Sequence, residues 1–286
     1  MLQQSLVLGS DTQKMMITRD LKKKAQAILY HESGAFVASQ ILTEALTTKD
    51  DAMIDETLQF MAEAHDVDEG NLHGSELLKS MQHNHANHSV RMWIKLLGTL
   101  DDTQSASQTT HIERWWKDVD GITTGCDMDS AGTEFINIAQ GPISCRSLIA
   151  MLTAFGHMPR IKDVTAQLVN TREVLRDLII HQFGNYVITT MVKQNIEIPR
   201  IIDCVKQHFA EIACDDYGNY VMQACLASPH CDQDRASLAD EFDRQKKTIS
   251  AQCRSERFEK LKPVLGNSKT TAKARKATKT QKWQFQ

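Results

Sequence analysis

Asn219, Tyr220 and Gln223 are three residues whose types and spacing could carry recognition chemistry. On a helix, i and i+4 stack one turn apart with i+1 beside them. The spacing therefore sets a flat aromatic ring between two amides able to read the edge of a base. The rest of the stretch from Asp215 supplies the opposite face, where Tyr217, Val221, Met222 and Cys225 form a packing stripe at about 100° per residue. A near-copy lies upstream, His181-Gln182-Phe183-Gly184-Asn185-Tyr186-Val187-Ile188-Thr189, with both faces kept.

Other chemistries find little support. There is no Gly-x-Ser-x-Gly and no dinucleotide fingerprint, and Gly266-Asn267-Ser268-Lys269-Thr270 lacks the spacing of a phosphate-binding loop. The Asp215-Asp216 pair reads as a cap on the helix that follows it. In His83-Asn84-His85-Ala86-Asn87-His88 three imidazoles could ligate zinc, but no Cys or carboxylate completes a recognisable spacing. That segment reads as a polar loop between helices. No catalytic residue, metal or cofactor is expected.

The elements that must position the two faces are helices arranged as repeats. Ser144-Cys145-Arg146-Ser147-Leu148 aligns with Gly184-Asn185-Tyr186-Val187-Ile188 at an offset of 40 residues, and Pro159-Arg160-Ile161 aligns with Pro199-Arg200-Ile201 at the same offset. A period of this size means stacked helical units. Pro199 suits the first turn of a helix, and Ile201, Val205, Phe209 and Ile212 form a buried stripe after it. Upstream, the stretch from Leu21 to Leu42 reads as helix, with Gly34 and Phe36 matching Gly218 and Tyr220 and with Ala35 and Ser39 at flanking positions. Further helices are expected at Ile54–Ala64, from Gly74 to Met81, and from Val90 to Leu100. Gly74, 40 residues beyond Gly34, is taken as the start of another unit, with Ser75, Glu76 and Lys79 at its recognition positions. Gly98–His111 reads as a flexible loop, Trp115-Trp116 either anchors a helix or packs over a solenoid edge, and Asp118–Gly132 carries no clear period. After Ser228-Pro229 a helix is expected from about Arg235 to Gln245, and another at Ser255–Leu261.

Bulk composition agrees with a helical protein. The chain has 286 residues, 41% of them apolar and 24% charged, with 13 Gly and 5 Pro. No apolar run is long enough for a membrane span, and the first nine residues are too polar for a secretory signal. Seven cysteines without a CxxC pair read as free thiols in a reducing compartment. The net charge of −3 hides an asymmetry, since Lys260–Gln286 holds eight basic residues and no acidic one. The remainder has 25 basic and 36 acidic residues, a balance of −11. Any polyanion must therefore meet a local surface rather than a generally basic body.

The stretches Asp216–Gln223 and Gln182–Val187 resemble the RNA-reading helix of Pumilio (PUF) repeats. The resemblance implies an all-α solenoid in which each repeat has three helices, the repeats stack into a crescent, and each reading helix meets one base of single-stranded RNA. It implies that Tyr220 stacks on bases while Asn219 and Gln223 together read uracil. By the same resemblance Asn185 and Tyr186 are recognition residues with Thr189 in place of the expected Gln, and Cys145 with Arg146 is the combination that favours adenine, with Ile149 replacing its polar partner. The decay of complete triplets brings the chain closer to the divergent Pumilio-like nucleolar proteins of ribosome assembly. The implied function is non-catalytic RNA binding, with pre-ribosomal RNA as the target and neither DNA nor membrane as a partner. Protein partners would occupy the convex face. The implied organisation is a repeat array over 1–262, clearest at 133–228 and irregular at 98–132, followed by a basic disordered tail at 263–286. A nuclear or nucleolar site follows from the tail. The alternatives are a cytoplasmic mRNA regulator and an armadillo- or HEAT-like scaffold for protein interaction.

Overall fold

A computed structural model describes residues 2–48, 50–65, 75–100, 105–124 and 131–252. All regular elements among them are helical. The chain divides into two compact units, Met1–Phe155 and Gly156–Gln286.

The first unit opens with α1 (Leu2–Leu8) and continues as three triplets of helices. They are α2 (Asp11–Leu21), α3 (Ala25–Tyr30) and α4 (Glu32–Thr47); α5 (Asp51–Ala64), α6 (Ser75–Gln82) and α7 (Ala86–Thr99); and α8 (Ala106–Thr124), α9 (Ala131–Gln140) and α10 (Ser144–Phe155). Within this unit the third helices pack side by side, with α7 between α4 and α10, while α2, α5 and α8 form a second row. The second unit holds two more triplets, α11 (Ile161–Leu168), α12 (Arg172–Ile179), α13 (Gly184–Lys193) and α14 (Ile198–Gln207), α15 (Phe209–Cys214), α16 (Gly218–Ala227). Here α13 packs on α16, and α17 (Arg235–Gln252) covers α15 and α16. The protein is an all-α solenoid of three-helix repeats, and within each unit neighbouring repeats bury their apolar faces against one another.

Local signals explain several of the helix starts. Ser10 and Gln13 form a reciprocal capping box at α2, Asp50 accepts from Ala52 N at 2.9 Å at α5, and Thr171 accepts from Val174 N at 3.2 Å at α12. Pro199 sits in the first turn of α14, as expected. Third helices then bury one stripe each: Trp93, Ile94, Leu96 and Leu97 on α7, Val187, Ile188, Met191 and Val192 on α13, and Val221, Met222 and Cys225 on α16. Each large apolar side chain so buried stabilises the fold by roughly 1.5–3 kcal/mol. Charges tie the neighbouring repeats at their edges. Arg19 and Lys22 both reach Glu56 (2.6 and 3.2 Å), Arg172 reaches Asp203 (3.0 Å), and Arg176 pairs with Glu211.

The structure corrects several expectations. The Leu21–Leu42 helix is broken at His31, where the backbone is extended. The loop expected over Gly98–His111 is largely helix: α7 runs to Thr99 and α8 starts at Ala106 and continues to Thr124. Its polar residues conceal an inward face made of Gln108, Trp115, Trp116, Val119 and Ile122. Of the two expectations for Trp115 and Trp116 the structure shows the first: both anchor α8, packed on Phe155 with ring centroids 4.8 and 5.3 Å away. The final helix continues past Gln245 to Gln252. Gly74, the expected helix at Ser255–Leu261 and the basic tail lie outside the described residues.

The helix that follows Gly74 is not the recognition helix of its repeat; that helix is α7. Ser75–Gln82 is the second helix of its triplet, so Ser75, Glu76 and Lys79 do not stand at recognition positions. Glu76 is instead a bonding centre that ties two repeats, taking Lys79 Nζ at 2.9 Å from its own helix and Gln26 Nε2 at 3.2 Å and Tyr30 Oη at 3.3 Å from α3. Apolar spacing is the same for every helix of a repeat, and it cannot say which of the three it marks.

Candidate functional site

The recognition helices are distinguished by how they begin. In four of the five, a residue just before the helix caps it with its side chain; the turn before α10 begins with Gly141, which has none. Asp215 Oδ1 accepts from the backbone N–H groups of Tyr217 (2.8 Å) and Gly218 (2.7 Å). His181 Nδ1 does the same for Phe183 and Gly184, both at 3.2 Å, and His83 Nδ1 for His85 (3.3 Å) and Ala86 (3.4 Å). His31 Nδ1 accepts from Gly34 at 3.3 Å. The imidazole of His83 is thus a cap, and the polar connection between α6 and α7 is the turn 83–85, with Ala86–His88 already in α7. Among the described residues no cluster of His, Cys, Asp and Glu could hold a metal ion.

The next conserved feature of geometry is a close approach of backbones. A Cβ at Gly184 would lie 2.7 Å from the carbonyl oxygen of Leu178, and at Gly218 it would lie 3.0 Å from that of Ile212. The recognition helix is therefore laid against the end of the preceding helix at a distance that favours glycine. At the equivalent place Ser144 turns the contact into a hydrogen bond, its hydroxyl donating to the Ile138 carbonyl at 2.9 Å.

This start imposes one pattern of exposure on all five third helices. The residue after the small one is buried: Ala35, Asn87, Cys145, Asn185 and Asn219. The following residue is exposed in every repeat: Phe36, His88, Arg146, Tyr186 and Tyr220. Three further on, Ser39, Arg91, Ile149, Thr189 and Gln223 are half-buried. Tyr186 and Tyr220 are each 55% exposed and Phe36 62%, an unusual state for large aromatic side chains.

Asn219, placed on the recognition face by its spacing, is only 5% exposed. Its Nδ2 donates to the carbonyls of Asp215 (3.3 Å) and Asp216 (3.2 Å), and its Oδ1 accepts from Gln223 Nε2. Asn185 is built the same way, donating to His181 O (2.8 Å) and Gln182 O (2.9 Å), with its Oδ1 buried and unpartnered. Both amide nitrogens are thus committed to the turn. The Thr189 hydroxyl is buried without a partner, and the Cys145 thiol lies inside, 3.9 Å from the Pro142 carbonyl. What reaches solvent is a ring, with Gln223 half-buried beside it.

In the second unit the packing of α13 on α16 places Asn185, Tyr186 and Thr189 beside Asn219, Tyr220 and Gln223. Cys145 and Arg146 belong to the first unit, where α10 lies against α7. There Asn87 Nδ2 donates to Met81 O (2.6 Å) and Ser147 Oγ (2.7 Å), joining the two helices. Asn87, His88 and Arg91 stand at the recognition positions and went unrecognised in the sequence. The signal was available: His83-x-x-Ala86-Asn87-His88 repeats the order of His181-x-x-Gly184-Asn185-Tyr186.

The description "Pumilio-family RNA binding repeat" matches residues 176–188 and 208–241, which hold the starts of α13 and α16. No curated protein matches the chain in sequence comparison. Solved structures do match in fold. The RNA-binding domain of yeast Puf5p bound to SMX2 RNA aligns over 86% of this chain and 59% of its own, with 13% identity and a TM-score of 0.55. APUM23 with its insert region deleted, with GGAAUUGACGG, aligns over 85% of this chain and 48% of its own, at 15% identity and a TM-score of 0.64. The Puf3 RNA-binding domain bound to a Cox17 RNA 3′ UTR site aligns over 82% and 58%, at 15% identity and a TM-score of 0.58. The chain thus spans about half to three fifths of the length of these structures.

Proposed function

We propose that this chain, a divergent array of Pumilio repeats, binds single-stranded RNA without catalysis, chiefly by stacking bases on Tyr186 and Tyr220. One observation carries the reading. Two large rings are held more than half exposed at the same repeat position on neighbouring helices, while the residues on either side of each are buried. Folding alone gives no reason to hold an aromatic ring in water twice. A base stacked on such a ring is worth about 1–3 kcal/mol. Gln223 offers the base edge a polar contact, with Asn219 fixing its position, and this pair carries a preference for uracil. Thr189 and Cys145, whose polar atoms are buried, take no part in reading the base, and Arg146 is the exposed group at its position. The three RNA-binding proteins of like fold support the reading.

As the target we propose pre-ribosomal RNA in the nucleolus. The departure of most repeats from a full reading triplet supports it, because such a chain reads loosely, and so does the basic segment Lys260–Gln286. Regulation of mRNA in the cytoplasm is the reading against which it stands.

The test is titration of labelled uridine-containing RNA against the full chain, Tyr220→Ala and Gln223→Ala. Micromolar or tighter binding weakened in both variants is expected. Equal binding by all three defeats base reading at this face, and no binding by any leaves a protein scaffold. Imaging decides the target class, since exclusion from the nucleus defeats the pre-ribosomal assignment.

A further inference from the structure

An open groove of about 610 Å³ runs between α7 and α10 in the first unit. Its floor is apolar, with Leu46, Ile149 and Ala154, and its charged lining consists of Arg91, Lys95 and Arg146 with no carboxylate. This is unlike the cations at the edges of the repeats, where Arg19, Lys22, Arg172 and Arg176 all meet an acid. Lys95 and Arg146 are exposed, and among the described residues neither has an ion-pair partner. Arg91 is half-buried; its Nη2 donates to His88 Nδ1 at 3.0 Å, and its Nε is buried with no partner. Burial first, and then the charge of Arg146, lowers the pKa of Arg91 from its ordinary value. Burial, Arg91 and Lys95 likewise lower that of His88. Three like charges gathered in a chain whose body is net acidic repel one another, and an anion in the groove would relieve that repulsion.

We propose that this groove grips the phosphodiester backbone of single-stranded RNA, so that the first unit supplies affinity independent of sequence while Tyr186 and Tyr220 in the second unit take the bases. Two arginine forks and one ammonium suit phosphate oxygens, which guanidinium binds in bidentate fashion. Arg91 and Ile149 occupy the repeat position that Gln223 holds on α16, and neither presents the paired donor and acceptor of an amide to a base edge. The identity of the ligand rests on the RNA-binding reading, whereas the anion site itself rests on the groove.

The full chain is titrated with inorganic tripolyphosphate, and with short oligouridine and oligoadenosine as salt is raised. The variants are the double Arg91→Ala, Arg146→Ala and the single Lys95→Glu, an exposed charge reversal that leaves the fold unburdened. The expected result is loss of the thermal stabilisation that tripolyphosphate confers. The dependence of log affinity on log salt should also become shallower by about 0.7 per lost phosphate contact, equally for both oligonucleotides. RNA binding with an unchanged salt dependence in both variants overturns the groove, and leaves stacking on Tyr186 and Tyr220 standing. Loss confined to one oligonucleotide overturns backbone recognition in favour of base reading. Tripolyphosphate binding that needs these cations, without any RNA binding, overturns RNA as the occupant and the proposed function with it.

Discussion

Asp215 and Asn219 hold one turn from opposite sides. The carboxylate of Asp215 takes the N–H groups of Tyr217 and Gly218, and the amide of Asn219 returns two bonds to the carbonyls of Asp215 and Asp216. The turn aims the ring of Tyr220 outward. The bonds of the turn and the exposed ring to which the proposed function gives base stacking therefore belong to adjacent residues, and mutation should separate them.

Asp215→Ala removes a cap that satisfies two backbone donors. It should cost about 1 kcal/mol, within the usual range of roughly 0.5–2 for such residues. Urea denaturation measures it, and an unchanged midpoint would show that the turn holds without its carboxylate.

Asn219→Ala and Tyr220→Ala should fail in different assays. The first strips partners from two carbonyls of the turn and should destabilise by about 1 kcal/mol. The second removes a ring that is 55% exposed, so the melting temperature should stay put while RNA affinity drops by about 1–3 kcal/mol. Paired melting and binding measurements would refute this separation if both variants lost the same property.

Gly184→Ala should be worse than Gly218→Ala. The added methyl lies 2.7 Å from the Leu178 carbonyl in one case and 3.0 Å from the Ile212 carbonyl in the other. Overpacking costs about 1–3 kcal/mol, against a helix-propensity gain of up to roughly 1 for replacing Gly with Ala. A clear loss is expected at 184 and a small change at 218, read by chemical denaturation. The reverse order would show that the backbones can part at no cost.

Acid should weaken the fold through His65. The ring is buried, stacked on Trp93 with centroids 4.9 Å apart, and lies between Met61 O (2.8 Å) and Ser80 Oγ (2.9 Å). A carbonyl only accepts, so the neutral ring carries its proton on Nδ1 and donates it to Met61, while Nε2 faces the Ser80 hydroxyl, which also donates to the Leu77 carbonyl at 2.8 Å. Burial lowers the pKa from 6.5 to about 4. Between those values the unfolded chain binds a proton that the folded chain refuses. The contribution is whole above pH 6.5 and is lost as pH falls towards 4, by at most about 3 kcal/mol. His65→Phe should flatten that stretch of the stability profile, and a profile as steep as before would assign the loss to other groups.

The fold was legible because the two best recognition stretches repeat both a face and a landmark. Ser144 and Gly184 share a spacing with Pro159 and Pro199, and helices begin at or beside all four. Register was harder. Leu77, Leu78 and Met81 have the spacing of any amphipathic helix, and the third helix of that repeat betrays itself only through the capping His83 and the small Ala86. Its distance from Gly34 also breaks the 40-residue period. The role of Asn219 was half legible: spacing put it beside Tyr220, but its bonds to the turn depend on chain direction before the helix, which a helical projection omits. Helix α8 was missed because its buried residues are scattered among Thr, Gln and Asp.

The shared exposed position near the start of each third helix, two residues after the small one, has a consequence for how such a chain changes over generations. Phe36, His88, Arg146, Tyr186 and Tyr220 each stand clear of the core while the residues beside them carry the packing. Substitutions there meet little selection for folding, so ligand preference can drift one repeat at a time. The five positions form a natural library, in which combined changes should have nearly additive effects on stability.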